Sequence, residues 1–331
     1  MEPLLSIRNL RVELPIGDRW FAAVDGVDFE LAAGESLAIV GESGCGKTLL
    51  ARALLDLAPE GARVSGDVRL RGTSLRNLSE SQWSRVRGGD LALVFQEPAS
   101  AFDPVRTVGD QIVEAIRAHE RVTAREAREA AGRLLVEVSF PDAERALCEY
   151  PHRLSGGERQ RAFLAIALAA NPKILIADEP TTALDATIAA EVLELLDRLR
   201  RQRSLALLLI SHDLAAVARA SDRALVMYAG RVVEEAPTAD LFRSARHPYT
   251  RGLIASSARP RSAGHGDRFF AIAGVVPDLS QRAVGSCAFA PRCPERFGRC
   301  AEEEPALSTN GSARVRCFLY EPDAKPLAHR S

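Results

Sequence analysis

The sequence predicts an α/β fold: a parallel sheet covered by helices on both faces, followed by a smaller C-terminal unit. Three observations predict it. Runs of continuous apolar residues, KILIAD, LALLLI and ALVMYAG, alternate with helical stretches, as strands buried on both faces do. A glycine-rich octet, GESGCGKT, sits between a strand-like run and a helical one. After about Thr238 the regular alternation stops and the composition changes. At 331 residues the chain is long enough for one large unit and one small one.

In chain order, SIRNLRVEL, AAVDGVDFEL and ESLAIV read as strands, with Gly26 and Gly34 at the turns between them. From Thr48 a helical pattern runs to Pro59, and GDVRLRG is again strand-like. LALVFQ reads as a buried strand. The stretch that follows has helical spacing, including TAREAREAAGRLLVEV, and marks a helical subdomain inserted at about 98–168. A long helix beyond Leu154 ends near Asn171 and Pro172. Then come KILIAD, a helix from about Thr187 to Arg203, LALLLI, the helix DLAAVARA and ALVMYAG. The expected division is 1–240 for the main domain and 241–331 for an extension that contains HPYT, ARPRSAGHGD and a cysteine-rich segment.

Composition narrows the function. With 43 basic and 44 acidic side chains there is no global positive field to attract nucleic acid. The longest apolar runs, such as AFLAIALAA, are too short to span a bilayer, and the N-terminus lacks the pattern of an export signal. A cytoplasmic location is expected. Four of six cysteines, Cys287, Cys293, Cys300 and Cys317, crowd into one segment, which in a reducing compartment suggests metal before disulfide.

The octet carries the clearest chemistry. In a phosphate loop, Gly41, Glu42, Ser43, Gly44, Cys45 and Gly46 turn backbone N–H groups towards a phosphate, Lys47 supplies positive charge, and Thr48 offers a hydroxyl to Mg²⁺. Its position at a helix N-terminus favours anions. The run ILIADEP delivers Asp178 at a strand end, where a carboxylate reaches Mg²⁺. Glu179 follows as the candidate general base for an attacking water.

With LSGGERQR, Leu154 to Arg161, the chain resembles the ATP-binding subunits of ABC transporters. The resemblance implies that Ser155, Gly156 and Gly157 close over ATP held by a partner subunit, with Glu158 where the family usually has Gln. It also implies that Gln96 touches the metal or water, that His212 contacts the γ-phosphate, and that Asp185 faces the partner. For the adenine-stacking aromatic the aligned residue is Leu14, with Trp20 or Phe21 as substitutes.

HPYT, VPDL and CAFAPRCPERFGRC further resemble the C-terminal extension of dipeptide and oligopeptide importer ATPases, relatives of which serve nickel or glutathione uptake. This implies a heterodimer with a second ATPase subunit, two transmembrane permease subunits docking near Ser100 to Asp110, and an extracytoplasmic solute-binding protein. It places the chain on the cytoplasmic face of the membrane. The same resemblance implies a [4Fe–4S] cluster on the four cysteines. Their spacing alone leaves zinc and free thiols open. The rival function is a soluble ABC ATPase acting on ribosomes or DNA. Such proteins usually carry two cassettes or a long inserted coiled coil, and neither is found in the sequence.

Overall fold

A computed structural model describes residues 2–95, 101–182, 184–257, 272–282 and 284–321. Gln96 and Ser100 lie outside the described residues.

The main sheet grows around β3 (Ser36–Val40), whose side chains are all buried because strands flank it on both sides. Parallel neighbours are β8 (Ala206–Ser211) and β9 (Arg223–Tyr228). Beyond β8 follow β7 (Ile174–Asp178) and β6 (Leu91–Val94), also parallel. These are the continuous apolar runs, and helices cover them because a sheet without polar residues has no face to offer water. The carboxyl ends of β3, β7 and β8 therefore open on one side, where an open α/β sheet presents its binding crevice.

A second, antiparallel sheet has β1 (Leu5–Ile16) between β2 (Arg19–Leu31) and β4 (Arg63–Leu70), with β5 (Thr73–Ser74) on its edge. Leu5, Ile7, Leu10 and Val12 of β1 share a core with Leu37 and Ile39 of β3, so the two sheets clamp the helix Lys47–Ala53.

The inserted helices lie between β6 and β7, as the spacing predicts: Val108–His119, Ala124–Glu137, Ala143–Cys148 and Gly156–Ala167. Their starts are chemically marked. Thr107 accepts from the Asp110 N–H, and Thr123 forms a capping box with Glu126. Ile112, Ile116, Ala127, Ala131 and Leu135 form the facing stripes.

The extension does not stand apart. β10 (Arg231–Pro237) returns antiparallel to β9, and the hairpin of β11 (Ser308–Asn310) and β12 (Ala313–Val315) adds to β10, pairing Glu234 with Val315 and Glu235 with Arg314. The sheet thus reaches eight strands, in the order β11-β12-β10-β9-β3-β8-β7-β6. Long-range strand pairing of this kind leaves no local composition signal, which is why the change near Thr238 reads as a boundary.

HPYT supplies core. His247 and Tyr249 are buried against Tyr228 and Phe289, with the Tyr228 and Tyr249 rings 4.8 Å apart. Buried Glu234 accepts from the Arg246 and His247 N–H groups, while His247 Nδ1 accepts from the Tyr249 N–H at 3.0 Å. Burial pushes the His247 imidazole down from 6.5 to about 3, and Arg251 adds to it, so the ring stays neutral when folded.

The unfolded chain takes up that proton and the folded one does not. Stability is therefore full above about 6.5 and falls as pH drops below it. From pH 7 to pH 5, His247 alone should remove about 2 kcal/mol. Chemical denaturation at the two pH values should show this loss shrinking in His247→Gln; an unchanged pH dependence would contradict the buried neutral ring.

Candidate nucleotide site

The phosphate loop runs from the end of β3 into the helix Lys47–Ala53. Its glycines are required by space. A Cβ at Gly41 would lie 2.2 Å from the Met227 carbonyl oxygen, and Gly46, at φ 106, would bring one within 2.7 Å of the Ala23 oxygen. Lys47 is 4% exposed, and its Nζ donates to Gly41 O at 2.8 Å and Glu42 O at 3.1 Å. An ammonium held out of water by carbonyl dipoles is a binding charge for an anion.

Thr48 Oγ1 donates to Asp178 Oδ1 at 3.2 Å, bringing hydroxyl and carboxylate together at the tip of β7. Burial pushes the Asp178 carboxyl up, and Glu179 beside it adds to this against the Thr48 hydrogen bond. A hard divalent cation relieves that cost, and this oxygen pair suits Mg²⁺.

Glu179 adopts φ 49, a left-handed conformation unusual for a residue with a side chain, and its N–H donates to Ile210 O of β8 at 2.9 Å. The turn aims the carboxylate into the site. There it accepts from Thr182 Oγ1 at 2.9 Å and meets His212 Nδ1 at 3.1 Å. Gly41, Glu42, Ser43, Gly44, Gly46, Lys47, Thr48, Glu179 and His212 line one cavity of about 880 Å³.

Other expectations resolve differently. Ser155, Gly156 and Gly157 lie on the surface or half-buried, outside the lining of that cavity. Ser155 caps the helix Gly156–Ala167 in a capping box with Glu158. A Cβ at Gly157 would meet the Ile188 side chain at 2.9 Å, so a larger residue there would have to displace it. Burial acts to raise the Glu158 carboxyl, but the Ser155 N–H and hydroxyl and the Arg145 guanidinium hold it below the usual range. Asp185 caps the helix Ala186–Arg203, accepting from Thr187 and Ile188 N–H groups at 3.0 Å. Leu14 lines the cavity, whereas Trp20 lies under the Arg63 guanidinium, 3.7 Å from its ring centre, and Phe21 under Arg19.

Cys45 is fully buried, and burial outweighs Lys47 and pushes its thiol up. Cys287, Cys293, Cys300 and Cys317 are free thiols, and the neighbouring sulfurs add to the burial that raises Cys287, Cys293 and Cys317. Burial pushes Cys293 to about 11 and Cys317 to about 12. Soft donors suit iron–sulfur or zinc, but among the described residues no group of three His, Cys, Asp or Glu side chains is placed to hold a metal. The expected cluster draws no support from this geometry.

Residues of the extension to which the sequence reading gave no role in this site also reach it. Val276, Pro277, Asp278, Leu279 and Arg282 form part of the cavity wall, and Arg292 pairs with Glu42. These contacts cross more than two hundred residues of sequence, and no local pattern marks them.

A phosphate loop, a strand-end Asp-Glu pair and a histidine just past the end of the neighbouring strand, with an SGG helix start on an inserted helical subdomain, define an ATPase of the ABC cassette class. The family described as "ABC transporter" matches residues 24–182, and that described as "Oligopeptide/dipeptide transporter, C-terminal region" matches 233–300. The chain is 45% identical over 326 residues to the oligopeptide transport ATP-binding protein AppD of Bacillus subtilis, covering 98% of both. It is 47% identical to a putative peptide import ATP-binding protein of Brucella abortus, covering 95% of this chain and 94% of that one. A dimeric ATP-binding cassette solved with ADP and Pi superposes with a TM-score of 0.64 at 25% identity, over 71% of this chain and 98% of that one. The chain belongs to the ATP-binding subunits of ABC transporters, in the branch that carries the oligopeptide/dipeptide C-terminal region.

Lys47→Ala removes a buried charge that phosphate oxygens would meet. Charge-assisted hydrogen bonds are worth about 1.5–3 kcal/mol, so ATP should bind roughly tenfold to a hundredfold more weakly in calorimetric titration. Unchanged affinity would overturn the cradle.

Proposed function

We propose that this chain binds Mg-ATP and hydrolyses it to drive import of peptides through two transmembrane permease subunits, supplied by an extracytoplasmic solute-binding protein. The observation that carries this is the convergence of Lys47, Thr48, Asp178, Glu179 and His212 at the ends of three adjacent parallel strands. The extension and the names of the peptide-importer relatives support the solute class. The names of the relatives support permease partners and a place on the cytoplasmic face of the membrane; among the described residues no helix is long and apolar enough to cross a membrane.

Lys47 and the loop N–H groups hold the β- and γ-phosphates. Thr48 and Asp178 would hold Mg²⁺, which when bound would neutralise phosphate charge. Glu179 takes the proton of the attacking water, while His212, 3.1 Å away, contacts the γ-phosphate and steadies the carboxylate. Gln96 is assigned to the metal or water by resemblance. Ser155 and Gly156 are exposed, Gly157 is half-buried, and all three are absent from the cavity of their own chain, which supports their acting on ATP held by a second cassette subunit. That partner is assigned as a different ATPase chain.

Glu179→Gln should lower turnover by about 10²–10⁴-fold in the assembled transporter and leave ATP affinity within a few fold. Steady-state phosphate release and equilibrium binding measure the two. Near-normal turnover would sink the assignment.

The [4Fe–4S] cluster on Cys287, Cys293, Cys300 and Cys317 is likewise assigned by resemblance, with four soft donors in one segment as its support. Protein purified without oxygen should be brown and contain iron and sulfide in equal amounts. Colourless protein with zinc or no metal would discard the cluster and leave the ATPase untouched.

A further inference from the structure

Glu42, the second residue of the phosphate loop, faces the C-terminal segment with both its side chain and its backbone. Its carboxylate forms a bidentate pair with Arg292, Nη1 to Oε2 at 2.7 Å and Nη2 to Oε1 at 3.0 Å. Its N–H donates to the Tyr249 hydroxyl at 2.9 Å. Its carbonyl accepts from Lys47 Nζ at 3.1 Å. One residue thus links the extension on two sides to the phosphate-binding ammonium on the third.

Arg292 is built for one position. Its side chain is 5% exposed, it also donates to Ala273 O at 2.9 Å, and its guanidinium lies over the Tyr228 ring. The Glu42 pair, set against the cost of burial, holds its charge firmly. A second tether stands on the other side of the loop. Arg282 Nη2 donates to Gly44 O at 3.0 Å, while its Nη1 donates to Ala22 O and Ala23 O of β2 at 3.3 and 3.2 Å. Planar, multi-donor guanidinium groups fix a backbone more tightly than a point charge does.

We propose that Arg292, Arg282 and Tyr249 are positioning residues for ATP: they set the phosphate loop, and through the Glu42 carbonyl they set Lys47. The proposal rests on the nucleotide reading above and deepens it. Binding to a loop already held costs less ordering than binding to a free one, so the tethers raise affinity without touching the nucleotide. Linkage is reciprocal, and a bound triphosphate must in turn hold the extension to the cassette. The extension is then part of the ATP site and not an appendage to it.

The test uses the full chain and Mg-ATP titrated by calorimetry. Arg292→Leu and Glu42→Gln should each weaken binding about tenfold, ADP should weaken in parallel, and the double variant should bind no more than about twofold worse than Arg292→Leu alone. Arg292→Lys should recover part of the affinity. Wild-type affinity in Arg292→Leu, or additive losses in the double variant, would overturn the proposal. Wild-type protein that fails to bind ATP would instead overturn the nucleotide reading. Should Arg292→Leu fail to fold, amide exchange on the wild type decides. Mg-ATP should slow exchange in residues 287–321, and unaltered exchange there would overturn the linkage.

Discussion

A lysine ammonium almost out of water, with backbone carbonyls on one side and a cavity on the other, is the constraint on which the rest depends. Carbonyl dipoles at 2.8 and 3.1 Å orient the Lys47 charge without neutralising it. The loop must therefore curl tightly around it, and only glycine fits where Gly41 meets the Met227 carbonyl and Gly46 the Ala23 carbonyl. The curl in turn needs rigid neighbours. β3 supplies one end because it is buried on both faces, and the helix Lys47–Ala53, clamped between two sheets, supplies the other. A flexible mount would allow the ammonium to swing into water, where it is more stable and of less use.

The same dryness governs the carboxylates. Asp178 and Glu179 lie beside a cation but close to each other, and burial raises the Asp178 carboxyl despite its Thr48 partner. Two adjacent acids in a poorly solvated cleft are unfavourable until a cation and phosphates arrive together. The left-handed backbone at Glu179 belongs to the same account. That turn points the side chain across to His212 just beyond β8, where a relaxed strand end would send it elsewhere. Strain of this size persists because the Ile210 hydrogen bond fixes the turn from the neighbouring strand.

What the sequence made legible is local, or arises from continuous burial. GESGCGKT shows its geometry in its glycines, and KILIAD and LALLLI announce buried parallel strands because nothing polar interrupts them. Arg282 and Arg292 were illegible because their meaning lies in Gly44 and Glu42, far away in the chain. The β11–β12 hairpin escaped for a similar reason: three-residue strands carry no period, and their partner β10 lies before the whole extension. Trp20 looked available for a nucleotide base, yet the structure commits its face to Arg63, a contact that spacing does not reveal. The cysteines were legible only as a crowded segment: burial raises the thiols of Cys293 and Cys317, and spacing says nothing of that burial.

Glu158 shows how a residue out of keeping with a motif can fit it. A carboxylate at this position would repel triphosphate brought by a second subunit if its charge faced outward. Here one oxygen accepts from the Ser155 N–H at 2.9 Å and the other meets Arg145, so the charge is engaged at the helix start. The Ser155 hydroxyl accepts from the Glu158 N–H at 3.3 Å and also bonds the Glu158 carboxylate, closing the box. The capping box thus does two things at once. It locks the exposed SGG turn in register with the helix dipole, and it turns the acid away from the surface that a nucleotide would meet. Substituting Gln would preserve the first effect and leave Arg145 without its partner. The carboxylate therefore belongs to the scaffold of the helix start.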